Sequence, residues 1–232
     1  MSSSRPVQRL PLPPRTSRRR LLWGLLSLPM VAGCAQMAVV GRVFYGDPKH
    51  DGIFEQITGS ALDKGARVAL VCTAPDSIST EYDMVSLDIQ KELIRMMRKK
   101  GIDVIESAKV STALDDNGGY FDLRAIVDAV DVDYLFHVDV EQFSHLAPNS
   151  PQLYHGRATG YVYGYKIEGE NEQAAGKHAV HVFEREFNSE YPGKHPVPAD
   201  RTPERVFRNR FIQHLCSELG RMFYEFRTNE TF

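Results

Sequence analysis

The sequence predicts an α+β fold: a mixed sheet with elements in the order β-α-β-α-β-β-β-α and helices packed on one or both of its faces. Three observations predict it. Residues 66–72 form a nearly continuous apolar run, as in a central buried strand. Two stretches, 79–100 and 121–130, repeat apolar residues every three to four positions, the helical period. Beyond residue 134 the period becomes two in three successive runs, before one more helical stripe. Strand and helix alternating, then a meander, describes the α+β class.

The elements follow in order. Pro75-Asp76 ends the first strand. The helix over 79–100 buries Val85, Ile89, Leu93 and Met96/Met97. Arg95, Arg98, Lys99 and Lys100 suit the negative end of its dipole, and Gly101 suits its C-cap. A second strand covers 102–105, and a short helix covers 107–114, broken by the polar turn Asp115-Asp116-Asn117-Gly118-Gly119. The helix over 121–130 presents Leu123, Ile126, Val127 and Val130 on one face. Strands follow at 134–143, 152–167 and 177–189, the last two separated by a polar loop. Pro192, Pro196 and Pro198 mark an irregular segment. Thr202 caps the final helix with Pro203 at its first position. Phe207, Phe211, Leu215, Leu219, Met222/Phe223 and Phe226 form its stripe.

The N-terminus is organised differently. Arg5, Arg9, Arg15, Arg18, Arg19 and Arg20 precede an 11-residue apolar run from Leu21 to Val31, with no acidic residue among them. A membrane-spanning helix needs about 20 apolar residues. A positive flank, a short apolar core and small residues at its end mark a secretory signal. The ending Val31-Ala32-Gly33-Cys34 resembles the lipobox of bacterial lipoproteins. That resemblance implies cleavage before Cys34 and acylation of its thiol, a palmitate-type lipid anchor; an ordinary cleaved signal with a coincidental cysteine is the alternative. More than one acyl chain is needed to hold a protein stably on a bilayer, at about 0.8 kcal/mol per buried methylene. Ser17-Arg18-Arg19-Arg20-Leu21-Leu22 fits either a twin-arginine signal or a plain basic flank. Gln36 stands where an aspartate retains lipoproteins on the inner membrane of some bacteria, so the outer membrane is favoured. The expected organisation is a signal peptide at 1–33, a tether at 34–63 with one short helix around 52–62, and a single domain at 64–232.

Six of the 28 lysines and arginines, and none of the 30 acidic residues, lie before Cys34. The remaining 199 residues therefore carry 22 basic against 30 acidic side chains, a formal charge of −8. An acidic chain without a basic stripe argues against nucleic acid as partner. Three cysteines are too few for a disulfide scaffold. Cys72 and Cys216 read as buried free thiols, with a bridge between them left open.

Lys64-Gly65-Ala66-Arg67-Val68-Ala69-Leu70 opens the first strand, a Lys-Lys-Gly turn joins helix to strand between Leu93 and Val104, and residues 129–138 read Ala-Val-Asp-Val-Asp-Tyr-Leu-Phe-His-Val. In these passages and in element order, about residues 64–228 resemble a superfamily of bacterial envelope proteins. It groups the curli-secretion lipoprotein CsgG, the penicillin-binding-protein activator lipoprotein LpoB and the N-terminal domain of TolB. His137 departs from the glycine frequent there. The resemblance implies a binding or assembly module rather than an enzyme.

Several patterns bear on chemistry. His137, Asp139 and Glu141 alternate along one strand and would share a face, as metal ligands can. A wet face opposite the apolar Tyr134, Phe136, Val138 and Val140 gives the same pattern without a ligand. His178 and His181 fall on opposite faces of a strand. The polar turn at 115–119 lacks the glutamate spacing of a calcium loop. Neither Cys72 nor Cys216 has the setting of a nucleophile, and no phosphate loop, nucleophile elbow or Rossmann glycine set occurs. No cofactor is expected.

The most informative stretch is 153–167. One face carries Gly156, Ala158, Gly160, Val162 and Gly164; the other carries His155, Arg157, Thr159, Tyr161, Tyr163 and Tyr165. The small face invites a helix close to the sheet. Tyr161, Tyr163 and Tyr165, with Arg157, are candidates for contact with a partner, because tyrosine is both apolar and hydrogen-bonding. An aromatic ladder serving only the sheet is the alternative. The resulting expectation is a lipid-anchored, non-enzymatic periplasmic protein that binds an envelope protein partner, with self-association left open. The alternatives are a metal-dependent hydrolase built on His137, Asp139 and Glu141, and a secretion-pore subunit. Linkers of about eight to ten residues between the last three strands leave a pore little room for membrane hairpins.

Overall fold

A computed structural model describes residues 49–82, 84–116, 120–169 and 176–227. The expected signal, the lipobox-like ending and Cys34 lie outside these residues, as do 117–119 of the polar turn and most of the polar loop. From Lys49 on, the chain forms one compact unit.

The fold is α+β with a mixed sheet. Strand β1 is Lys49–His50, helix α1 Ile53–Thr58, β2 Arg67–Thr73, α2 Asp76–Glu81, α3 Val85–Lys99, β3 Asp103–Val104, α4 Ser107–Asp116 and α5 Leu123–Ala129. Then come β4 Tyr134–Ala147, β5 Ser150–Glu168, β6 His178–Tyr191, β7 Val197–Pro198, α6 Glu204–Gly220 and β8 Phe226–Arg227. The main sheet runs β3-β2-β4-β5-β6 across, with β7 continuing beside β5. β2 lies parallel to β3 and β4, whereas β4, β5 and β6 form an antiparallel meander. The parallel pairs are those joined through helices, because a crossover needs the length of one.

β2 is apolar on both sides because both sides are covered. Val68, Leu70 and Cys72 join the larger core with α1, α3 and α6; Ala69 and Val71 join a smaller one under α4 and α5. In α3 the four-residue rhythm buries Val85, Ile89, Leu93 and Met97 as expected. In α6 Phe207, Phe211, Leu215 and Leu219 are buried.

Several expectations are corrected. The helix expected over 79–100 is two helices. Pro75 starts α2 early, since its fixed φ suits a helix entrance, and Met84 adopts φ 63°, which no right-handed helix accommodates. Thr202 does not cap α6: Pro203 holds the cap position without a side-chain bond, and Glu204 occupies the first turn. The helix expected over 121–130 begins at Leu123, capped by the Asp122 carboxylate, which accepts from the amides of Arg124 and Ala125. The meander strands run longer than their apolar alternation, so only a two-residue turn, 148–149, separates β4 from β5. Phe226 is not on the helix stripe but in β8, paired with β1.

Residues 49–62, read as the end of a tether, pack into the larger core. Phe54 is fully buried and meets Tyr134, Phe136 and Phe183 edge-on at 5.1–5.6 Å. Leu62 is buried as well. No helix among the described residues is long and apolar enough to cross a membrane.

Candidate functional site

The site is the face of β5 turned away from α6. Its position follows from the opposite face. Gly156, Ala158, Gly160, Val162 and Gly164 point into the larger core. A methyl group added at Gly156 would enter the Phe211 ring, and one at Gly164 would come within 2.8 Å of Phe136 and Phe183. At Gly160 it would strike the backbone carbonyl oxygen of Asp139. The small residues thus let α6 and the phenylalanines close on the strand, which commits the odd-numbered side chains to the other side.

Register then sets the neighbours. Tyr163 stands between His137 on β4 and Glu184 on β6; Tyr161 stands between Asp139 and Glu186; Thr159 stands between Gln142 and Asn188. Tyr165 is paired with His181 across a bulge. Ring contacts knit the face together. Phe121 stacks on His137 with centroids 3.8 Å apart and planes 9° from parallel. His137 lies 5.9 Å from Tyr163, which stacks on Tyr161 at 6.0 Å. His181 touches both Tyr163 and Tyr165.

The three tyrosines are not equivalent. Tyr165 packs against the smaller core with Ile167 and Phe121. Tyr161 and Tyr163 belong to neither core and are partly exposed. Partial burial, with the carboxylates of Glu184 and Asp139 nearby, raises the Tyr163 phenol above its ordinary range, so it stays a donor at neutral pH. Arg157 is exposed two rows away, between Ser144 and Glu190. It borders a groove of about 490 Å³ shared with Glu141, Thr159 and Asn188.

The metal alternative meets a different geometry. Among the described residues no group of three histidine, cysteine or acidic side chains is gathered as metal ligands. His137 Nε2 lies 2.7 Å from Thr73 Oγ1, whose hydroxyl is also 3.1 Å from Asp139 Oδ1. Burial pulls the His137 imidazole down to about 4, against the opposing pull of Asp139, so it is neutral at pH 7. Glu141 leaves the row altogether. A β-bulge between Val140 and Gln142 breaks the alternation and puts Glu141 in the groove beside Arg157. The three residues expected on one face are therefore two partners of Thr73 and one groove residue.

The two thiols are buried and free, and burial pushes both well above the ordinary cysteine range. Cys216 Sγ lies 3.5 Å from the Ile89 carbonyl oxygen. His178 and His181 do fall on opposite faces of β6.

Four contributors to the face escaped the sequence reading: Thr73, Phe121, Glu184 and Glu186. Their local patterns are ordinary. Register brings Thr73, Glu184 and Glu186 to the face, and Phe121 arrives from the segment just before α5.

No family model matches the chain, and no curated protein matches it in sequence. Solved structures resemble it more loosely. A dodecameric point variant of PelC from Paraburkholderia phytofirmans is 13% identical with a TM-score of 0.40, over 76% of this chain and 97% of that one. The hypothetical protein CT253 from Chlamydia trachomatis is 8% identical with a TM-score of 0.39, over 67% and 95%. Lipoprotein GNA1162 from Neisseria meningitidis is 11% identical with a TM-score of 0.33, over 66% and 97%. At such identities and scores the likeness transfers no function to this chain.

Proposed function

We propose that the chain is a lipoprotein acylated on Cys34. In this reading it faces the periplasm, favours the outer membrane, and binds a protein partner in envelope assembly without catalysing a reaction. The lipobox carries the anchor. The binding assignment rests on Tyr161 and Tyr163, which are partly exposed in a stacked pair outside both buried cores. Rings so held lose little conformational freedom on contact, which is why tyrosine is common among residues that dominate binding.

Two experiments test the two halves. Cys34→Ser is expected to abolish labelling by a fatty-acid analogue; undiminished labelling would sink the anchor. For the face, the partner is first captured from intact envelopes by crosslinking and then titrated against purified protein. Tyr163→Ala is expected to weaken that association by about 2 kcal/mol or more with the fold intact. A ladder serving only the sheet behaves oppositely, losing thermal stability with association unchanged.

A further inference from the structure

The open face carries charge as well as rings. Asp139 and Glu186 flank Tyr161, and Glu184 flanks Tyr163. Farther along, Glu190 stands opposite Arg157, and Glu141 projects from the bulge into the same groove. Five carboxylates thus share the face with one guanidinium. Among the described residues none of the five forms an ion pair with a lysine or arginine. Asp139 accepts from the Thr73 hydroxyl, and Glu184 has the His181 imidazole at 3.8 Å. Some acidic groups elsewhere are matched: Glu92 by Arg95, Asp131 by Arg67 and Lys177, Asp88 by Arg208, Glu225 by Lys49. On the tyrosine face itself the carboxylates outnumber the cations.

The physical consequence is selective. The faces of tyrosine rings are negative by their quadrupole and attract a cation, and adjacent carboxylates add to that field. An anionic ligand, such as a phosphate-bearing lipid headgroup or a nucleic acid, is repelled by both. Lysine offers a compact, strongly hydrated charge. Arginine offers a plane that stacks on a ring and a fork of N–H donors that matches a carboxylate. Stacked tyrosines with glutamates one strand away present both acceptors at once.

Resting on the proposal that this face binds a protein, we infer that its occupant is an arginine-bearing segment of the partner. Its guanidinium groups lie on Tyr161 and Tyr163 and donate to Glu184 and Glu186. Charge complementarity selects this occupant over an acidic or purely apolar one.

The test uses the purified protein and a fluorescent peptide alternating arginine with glycine, followed by anisotropy, with lysine and glutamate versions as controls. The arginine peptide is expected to bind more tightly than the lysine one, and the glutamate peptide not at all. Glu184→Gln combined with Glu186→Gln is expected to weaken the arginine peptide about tenfold or more. Tyr163→Leu, which keeps apolar bulk and loses the ring, is expected to weaken it further. Unchanged affinity in the doubly neutralised variant overturns the inference, as does equal affinity for the lysine and arginine peptides. A second copy of the chain as occupant would appear in sedimentation velocity as self-association abolished by the double neutralisation. That result also overturns the inference. The same variants in the partner titration separate the two proposals. Loss of partner binding by Tyr163→Ala alone, with the neutralised variant intact, leaves the binding face standing and removes the arginine. No effect from either removes both.

Discussion

His137 connects burial, titration and stability at a single residue. It is sandwiched between Phe121 and the sheet, with Thr73 as its polar partner, and its folded imidazole titrates near 4. The unfolded imidazole titrates near 6.5. Above 6.5 both states are neutral and pH has no leverage through this group. As pH falls from 6.5 towards 4 the unfolded chain takes up a proton that the folded chain refuses. Stability is therefore lost across that window, by on the order of 3 kcal/mol at its lower end. His145 is depressed in the same direction by burial, so the loss has more than one source. The carboxylates that lose stability in acid titrate mostly below 5, which leaves pH 5–6.5 to the histidines. We expect urea midpoints of the native chain to fall over pH 6.5–5 and those of His137→Gln to fall less steeply. Parallel slopes would mean that His137 titrates freely. None of this was legible in the sequence, where His137 read as a wet-face residue with a ligand role as the alternative. What decided it is Phe121, sixteen positions away and set outside its helix by the Asp122 cap.

Elements were legible where a period is sustained, and illegible where pairing or a single backbone angle decides. α3 and α6 follow their stripes because each buries one face on the same core. The small and aromatic faces of β5 separate as their alternation requires, since the strand stays regular between its bulges. Alternation cannot foresee where a partner strand slips. The bulges at Glu141 and Val182 are properties of the pairing with β5, and they moved Glu141 out of its row. The break between α2 and α3 rests on one positive φ at Met84. Strands of two residues, such as β1, β3 and β8, have no period at all. The docking of α6 gives the sharpest test at this scale. Phe211 is fully buried, fills the space left by Gly156, and lies 5.1 Å from Phe143. Phe211→Ala should cost about 3–5 kcal/mol, because neither the glycine nor the helix can collapse into the vacated volume. A loss below about 1 kcal/mol in equilibrium denaturation would mean that α6 is not held there.

At the scale of the molecule, the question is where the folded body begins. The sequence pointed to Lys64, because residues 35–64 hold glycines and no period. Packing carries it back at least to Lys49, where the described residues begin. Phe54 sits among three aromatic rings of the sheet, and Leu62 closes the same core. The amides of Ile53 and Phe54 donate to the carbonyls of Arg221 and Met222, and β1 pairs with β8 just beyond. Residues 49–54 and 221–227 therefore stabilise one another, although about 170 residues of chain separate them. Beginning the chain at Lys64 would vacate the space of one phenylalanine and one leucine. It would also uncover Phe136 and Phe183 and leave the carbonyls of Arg221 and Met222 without those donors. Deleting a buried phenylalanine alone costs about 3–5 kcal/mol. A domain of this size has only about 5–15 kcal/mol to lose. A fragment starting at Lys49 is thus expected to unfold in one cooperative transition close to that of the chain starting at residue 34. A fragment starting at Lys64 is expected to unfold at markedly lower urea, or to remain unfolded. Phe54→Ala in the longer fragment should reproduce much of the difference. Superimposable transitions for the two fragments would return residues 49–62 to the tether.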